Sequence, residues 1–218
     1  KKITRFYPKS INKECTTNII NRLLKHSDGN VYAFCNRSVF KCSMNQTVET
    51  VFPDIAIPSP TYSVAQAPDK DIYIGTESNG LYIYSENWKL KKHVPIDGII
   101  ATILPDNNGD IWLGLDETGI CLFNKNKQTF TWLHKDNTNL NNNSIRTFVS
   151  YGDSSILVGT FRGLNILNKK ELTITPANIN IAGKGGLSHY SIHSMLIDKD
   201  QTLWICLLYT SDAADERS

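Results

Sequence analysis

The sequence predicts an all-β fold: a partial β-propeller of about four four-stranded blades, with partial blades at both ends. Three observations lead to this prediction. A short motif recurs along the 218 residues at the spacing of propeller blades. Residues that favour strands occur in short runs, with Gly and Asn between them. No apolar stripe of helical period extends over 12 residues, so the short apolar runs are assigned to strands rather than helices.

The recurring motif is a short apolar strand, which in three of its five copies contains Gly near its end. The intervals from Tyr32 to the equivalent Tyr73, Trp112, Leu157 and Trp204 are 41, 39, 45 and 47 residues. Spacings of this size are typical of propeller blades and differ from those of leucine-rich or helical repeats. The copies are Asn30-Val31-Tyr32-Ala33-Phe34, Asp71-Ile72-Tyr73-Ile74-Gly75-Thr76, Asp110-Ile111-Trp112-Leu113-Gly114, Ser155-Ile156-Leu157-Val158-Gly159-Thr160 and Thr202-Leu203-Trp204-Ile205.

Each repeat has four predicted strands in the same order. An apolar first strand, such as 144–149, leads through a polar turn such as 106–110 into the motif strand. The Gly or Asn of that polar turn can adopt the positive φ that a tight turn needs. A loop then ends in Gly before the third strand, as at Gly80, Gly119 and Gly163. A second turn precedes the fourth strand, predicted at 129–133 in the third full blade. Four short antiparallel strands per repeat indicate a propeller blade.

Two positions of the motif strand have predicted packing roles. The Gly near its end would allow close approach of a neighbouring backbone, and Gly also tolerates a bend. The large residue two positions earlier, at Tyr73, Trp112 and Trp204, is interpreted as an apolar plug between neighbouring blades. In the first blade, a two-residue turn at Asn36-Arg37 would pair Cys35 with Ser38.

The repeat divides the chain into seven segments. We predict the end of a preceding blade and a linker at 1–18, a divergent blade at 19–62, and the start of a further blade at 191–205. Three regular blades are expected at 63–98, 99–143 and 144–190. Residues 206–218 lose the blade pattern and match the translation of a sequencing-library adaptor, so we expect them not to be native and the chain to be a fragment.

Composition excludes few classes of function. A net charge of +2 selects no partner, and a nucleic-acid-binding protein would more often show a concentrated basic face. The five histidines are scattered without the spacing of a zinc site, so we expect no metal and no cofactor. The loop 106–110 offers alternating oxygen ligands but lacks the distant Glu of a calcium loop, and is interpreted as a turn with side-chain caps. No nucleophile or phosphate-binding motif is present, and no catalytic residue is predicted.

The combined repeat pattern resembles the two-component regulator propeller repeat. The motif Gly-Thr, the following Gly-Leu, and the linkers at 134–145 and 186–192 carry this resemblance. It implies the extracytoplasmic sensor region of a hybrid histidine kinase from a Gram-negative bacterium that digests polysaccharides. It also implies a second propeller, a homodimeric receptor, and a kinase domain absent from this chain. The location implied is the periplasm, as the sensor part of an inner-membrane protein.

The sequence departs from that repeat at several points. The first blade has Phe34-Cys35 in place of Gly-Thr and Ser38-Val39 in place of Gly-Leu. Blade 99–143 has Leu115 in place of Thr, and the next blade has Leu157 in place of Trp. None of these differences interrupts the strand pattern.

The loops between second and third strands are the predicted ligand platform, because they vary where the strands repeat. The candidate ligand-binding residues are Glu77, Asn79, Asp116, Glu117, Phe161 and Arg162. An aromatic face beside carboxylates suits the C–H faces and hydroxyls of an oligosaccharide. The favoured function is therefore an oligosaccharide sensor that controls polysaccharide-utilisation genes. The alternatives are a propeller lyase or glycan-active enzyme, and a protein-interaction scaffold.

Overall fold

The computed structural model describes residues 20–35, 38–42, 48–50, 59–177 and 190–208. Within these ranges every regular helix or strand is a β-strand, and all strand pairings are antiparallel. The prediction of an all-β partial propeller is confirmed. The described part of the chain contains no helix with the length and hydrophobicity that a membrane crossing requires.

Strands consecutive in the chain pair with one another, so each sheet is a simple meander. The first sheet consists of β1 (Arg22–Lys25), β2 (Val31–Cys35), β3 (Ser38–Cys42) and β4 (Val48–Thr50), and the second of β5 (Thr61–Gln66), β6 (Ile72–Thr76), β7 (Leu81–Tyr84) and β8 (Leu90–Val94). The third consists of β9 (Ile100–Pro105), β10 (Asp110–Leu115), β11 (Gly119–Asn124) and β12 (Thr129–Leu133). The fourth consists of β13 (Ile145–Tyr151), β14 (Ser155–Thr160), β15 (Gly163–Asn168) and β16 (Ile174–Pro176), and the fifth of β17 (Ile192–Ile197) and β18 (Leu203–Leu207).

Burial changes from the second strand of a sheet to the fourth. All residues of β6 and β7 are buried, and so are five of the six in β10 and in β14. In β8 and β12 only the last residue is buried. A strand buried on both faces must be covered by neighbouring sheets, as the middle strands of a propeller blade are.

The chain divides into two compact units, one of residues 1–113 and 123–129, the other of residues 114–122 and 130–218. In the first unit, β1 contacts β5 and β5 contacts β9. In the second unit, β13 contacts β17. Within each unit, therefore, the first strands of successive sheets are neighbours.

The core of each unit lies between successive sheets. In the first unit it combines large side chains from the first and second sheets: Leu24, Tyr32, Phe34, Val39, Ile72, Ile74, Tyr82, Tyr84 and Trp88. In the second unit Leu157 and Leu164 of the fourth sheet pack with Ile192 of the fifth. Burying one such side chain contributes about 1.5–3 kcal/mol, so these interfaces supply much of the stability.

The motif Gly lets the next sheet approach closely. A Cβ atom on Gly75 would lie 2.6 Å from Ile100 Cγ2, and one on Gly159 would lie 2.7 Å from Ile192 Cγ2. Both Ile residues are the first of the next sheet's first strand, and both are fully buried. The predicted close approach at this Gly is observed, but the atoms that approach it belong to side chains rather than to a neighbouring backbone.

The register also agrees with the sequence pattern. Cys35 pairs with Ser38, as predicted from the turn length. Tyr73 and Leu157 occupy equivalent buried positions, each opposite an Ile of the third strand, and Trp112 is buried as well. Trp204 is different, because its side chain is 62% exposed and its Nε1 donates to Asp198 Oδ2 at 2.7 Å. The prediction that Trp204 plugs a blade interface is wrong in this structure, since the fifth sheet has only two described strands and no described neighbour beyond them.

Some boundaries differ from the sequence prediction. Strand β5 begins at Thr61, so the expected blade boundary between 62 and 63 falls inside a strand. Strand β18 continues to Leu207, two residues beyond the expected limit of the repeat. The segments 1–18 and 209–218, and most of the linker 186–192, lie outside the described residues.

A cation connects two turns of the first unit. Lys125 Nζ, in the turn after β11, lies 2.6 Å from Asp69 Oδ2 and 2.6 Å from Asp71 Oδ2. Asp71 is almost fully buried and also pairs with Lys91. Desolvation alone would raise the pKa of Asp69, but its hydrogen bond to Lys125 and the charges of Lys125 and Lys91 outweigh this effect and lower the pKa. Desolvation would likewise lower the pKa of Lys125, and its bonds to the two carboxylates raise it instead.

We predict that Gly75→Ala lowers the free energy of unfolding by about 1–3 kcal/mol, because the new methyl group overlaps both Ser63 Oγ and Ile100 Cγ2. In an Ile100→Ala background the same substitution should cost less, since the overlapping Cγ2 is gone. Urea denaturation of the four variants of this cycle measures the difference. Additive effects would contradict a direct contact between the two positions.

We predict that Lys125→Met lowers the free energy of unfolding by about 1–3 kcal/mol, because the buried Asp71 loses one of its two cations. Lys127→Met, on the same turn but exposed, should have little effect.

The Lys125 contact also makes stability depend on pH. The folded-state pKa of Asp69 lies below its ordinary value of 3.8, so its contribution is present above about pH 4 and decreases as the pH falls through the folded-state pKa. Denaturation at pH 7 and pH 3 should show a smaller acid-induced loss for Lys125→Met than for the unaltered chain. An equal loss would show that the contact contributes nothing to the pH dependence.

Candidate functional site

Two of the three loops that carry candidate residues, those after β6 and β14, are held by the Thr of the Gly-Thr motif. Thr76 Oγ1 donates to the Gly80 carbonyl at 2.8 Å and accepts from the Asn79 amide at 3.0 Å. In the second unit, Thr160 Oγ1 lies 2.9 Å from the Gly163 carbonyl and accepts from the Arg162 amide at 3.1 Å. The buried hydroxyl therefore fixes the loop in the same way in both blades.

Glu77 and Asn79 lie on the loop between β6 and β7 of the first unit. Glu77 is exposed, and its amide donates to the Pro60 carbonyl at 3.0 Å. The Asn79 side chain donates to the hydroxyl of Tyr82 at 2.7 Å, and its carbonyl is 2.7 Å from His93 Nε2. The side chain of Asn79 thus stabilises its own loop, whereas the exposed carboxylate of Glu77 is more accessible to a ligand.

In the second unit, Asn141 ties the linker to the loop between β14 and β15. Its Oδ1 accepts from Thr160 Oγ1 and from Asn165 Nδ2, each at 2.8 Å. Its Nδ2 donates to the Arg162 carbonyl at 3.1 Å. Asn165 is fully buried, so this network is protected from water. The Asn-rich linker thereby orients the loop that presents Phe161 and Arg162.

Asp116, Arg146 and Phe161 form a cluster at the surface of the second unit. Arg146 Nη1 lies 3.4 Å from Asp116 Oδ2, and the Arg146 guanidinium carbon is 5.9 Å from the centre of the Phe161 ring. The side chain of Arg146 is 34% exposed and that of Asp116 22% exposed, and Phe161 is 45% exposed. Distances of this kind are typical of an ion pair and of a cation–π contact. We call these three residues the arginine cluster.

A β-bulge places Arg146 in the cluster. The pairing of β13 with β14 shifts register between Ile145 and Thr147, so Arg146 is the extra residue. The same shift occurs at Tyr62 in β5 and at His193 in β17, the equivalent positions of their sheets. A bulge redirects the side chain of its extra residue, and bulges are frequent beside functional sites. The second residue of the first strand therefore presents a different exposed side chain in each of these blades.

The structure brings together two of the predicted residues, Asp116 and Phe161, and adds Arg146, which the sequence analysis missed. The sequence pattern places Arg146 in an apolar strand, and only the bulge shows that its side chain points towards Asp116 and Phe161. Glu117 is exposed with a φ of 65°, and Arg162 is exposed beside Phe161 in the sequence. Among the described residues, their side chains make no hydrogen bond or ion pair with the arginine cluster. Glu77 and Asn79 belong to the first unit.

The arginine cluster offers an aromatic face, hydrogen-bond donors and an acceptor in one exposed patch. Such a combination suits a polar ring with a C–H face, since the ring of Phe161 can stack while the charged side chains beside it interact with polar groups or with each other. No group of His, Cys, Asp and Glu that could hold a metal ion is found among the described residues.

Comparison with known proteins gives similarity of structure rather than of sequence. No family model matches the sequence, and no curated protein matches it significantly. Two extracellular domains of hybrid two-component systems from B. thetaiotaomicron are similar in structure, with TM-scores of 0.68 and 0.71 and sequence identities of 23% and 18%. The similarity covers 87% and 88% of this chain and 26% of each of those chains. These structures belong to the class of protein that the repeat pattern predicts.

A lyase also has a similar structure. The catalytically inactive H270A virginiamycin B lyase from Staphylococcus aureus has a TM-score of 0.64 and 14% identity, over 87% of this chain and 64% of that chain. At such identities the similarity establishes the fold alone. The present chain spans about a quarter of the length of the two sensor domains.

We predict that Asn141→Ala lowers the free energy of unfolding by about 1–3 kcal/mol, because the buried Asn165 side chain loses its partner. Asn141→Asp should cost less, since its oxygen can still accept from Thr160 and Asn165. Urea denaturation measures both. Hydrogen exchange at the Arg162 amide should accelerate more in Asn141→Ala, and unchanged exchange there would contradict the proposed hold on the loop.

Proposed function

We propose that this chain is part of the extracytoplasmic ligand-sensing propeller of a hybrid two-component signalling protein, and that its ligand is an oligosaccharide. The observation that carries the proposal is the arginine cluster, a partly exposed aromatic and charged patch whose Phe161 lies on the loop that Thr160 and Asn141 hold. Residues that bind ligands are frequently placed on loops that a rigid scaffold positions. The similarity to extracellular domains of hybrid two-component systems supports this assignment.

The proposal includes the rest of a receptor. The chain would contact further blades and a second propeller of the same protein, and the receptor would act as a homodimer in the periplasm with its kinase across the inner membrane. Ligand binding would favour one arrangement of the sensor and thereby bias the kinase that controls polysaccharide-utilisation genes. No catalytic role is assigned to this chain itself.

A lyase is the second candidate, because a lyase propeller is among the similar structures. The two candidates differ in their products. A sensor binds its oligosaccharide and releases it unchanged, whereas a lyase cleaves it and leaves an unsaturated end. Chromatography of the ligand after prolonged incubation separates the two candidates.

We predict that the chain binds one or more members of an oligosaccharide panel in isothermal titration calorimetry, and that Phe161→Ala weakens binding about tenfold or more by removing the stacking face. Tyr151→Ala is the matched control. Tyr151 is 56% exposed at the opposite end of β13, about 17 Å from the position of Arg146 along the strand. Equal losses for both variants, or no binding to any oligosaccharide, would contradict the proposed site.

A further inference from the structure

Within the arginine cluster, most of the N–H donors of the Arg146 guanidinium are available to bind a ligand. A guanidinium carries five N–H donors in a planar fork. The one ion pair of Arg146, to Asp116, is 3.4 Å long, beyond the 2.7–3.2 Å of an ordinary hydrogen bond. Within the described residues the side chain of Arg146 makes this loose pair and the ring contact with Phe161, and no hydrogen bond.

The surroundings of Arg146 favour a planar anion that is attached to a ring. Arg often binds a carboxylate through two parallel hydrogen bonds. The single 3.4 Å contact with Asp116 is not such a pair, so the guanidinium can still bind a second carboxylate in this way. Phe161, 45% exposed and 5.9 Å from the guanidinium carbon, presents a stacking face at the same place. A pyranose ring that bears a carboxylate satisfies both groups, because its C–H face stacks while its carboxylate binds Arg146.

We infer that the arginine cluster recognises an acidic oligosaccharide, through a uronate-type carboxylate bound to Arg146 and a sugar ring stacked on Phe161. This inference rests on the proposed function and narrows its ligand to one chemical class. Asp116 then has two effects. Its carboxylate holds the guanidinium of Arg146 in place before the ligand binds, and it competes with the ligand's carboxylate for that guanidinium. Asp116 is a positioning residue that sets the affinity rather than a contact for the sugar.

The two charged residues should therefore have opposite effects on binding. Arg146→Gln removes the carboxylate partner and should weaken acidic-ligand binding about tenfold or more. Asp116→Asn releases the guanidinium and removes a repulsive charge, and should tighten the binding of the acidic ligand by up to about fivefold. A site that uses Asp116 to accept sugar hydroxyls would show weaker binding in Asp116→Asn instead.

The test is calorimetric titration with linear tetrasaccharides of galacturonate, mannuronate, guluronate and glucuronate. Each is paired with the same oligosaccharide after reduction of its carboxyl groups to alcohols. The proteins are the unaltered chain, Arg146→Gln, Asp116→Asn, Phe161→Leu and, as a charge control, Lys170→Gln on the exposed turn before β16. Circular dichroism and urea denaturation establish that each variant is folded.

The expected result is binding of one acidic tetrasaccharide at least about tenfold tighter than its reduced form, lost preference in Arg146→Gln, and tighter acidic binding in Asp116→Asn. Lys170→Gln should leave the preference unchanged, and Phe161→Leu should weaken both forms. Equal binding of the acidic and reduced forms, or weaker acidic binding in Asp116→Asn, would overturn this inference and leave the oligosaccharide sensor in place. Absence of binding to every acidic and neutral oligosaccharide would overturn both.

Discussion

The packing of an Ile side chain on a bare glycine backbone is the contact on which the rest of the structure depends. Gly75 receives Ile100 and Gly159 receives Ile192, in each case across the boundary between two sheets. The contact brings the first strand of one sheet against the second strand of the sheet before it, and so places the loops at a fixed distance from the next first strand. Because protein interiors are close-packed, one additional methyl group there cannot be absorbed without moving a sheet.

Much of the fold could be predicted because its information is local and repeated. The motif strand, the turn that pairs Cys35 with Ser38, and the buried positions of Tyr73 and Leu157 each follow from periodicity and turn length. Trp204 could not be placed correctly, since its sequence position is equivalent to that of Leu157 while its burial depends on strands beyond those described. A residue's role in a repeat is local, whereas its exposure depends on its neighbours.

The candidate site was predicted in part. Loop variability selected Asp116 and Phe161, which the structure brings together through Arg146. Arg146 itself carries no signal in the sequence, because an alternating strand pattern assigns each side chain to a face and a bulge changes that assignment by one residue. Repetition of the bulge at Tyr62 and His193 is visible only in the strand pairings. Glu117 and Arg162 stay predictions, since their side chains form no hydrogen bond or ion pair within the part of the chain that the structure describes.

The hydroxyl of Thr160 and the side chain of Asn141 fix the backbone of the 161–162 loop, while the side chains of the loop determine what it can bind. Both residues lie outside the exposed tip, yet they hold its backbone at Arg162 through hydrogen bonds that do not involve the tip's own side chains. Substitutions at the tip would therefore leave the loop backbone where it is. A lineage can exchange Phe161 or Arg162 for other residues and acquire a new preference while the blade remains as stable as before, so diversification of recognition and maintenance of the fold can proceed independently.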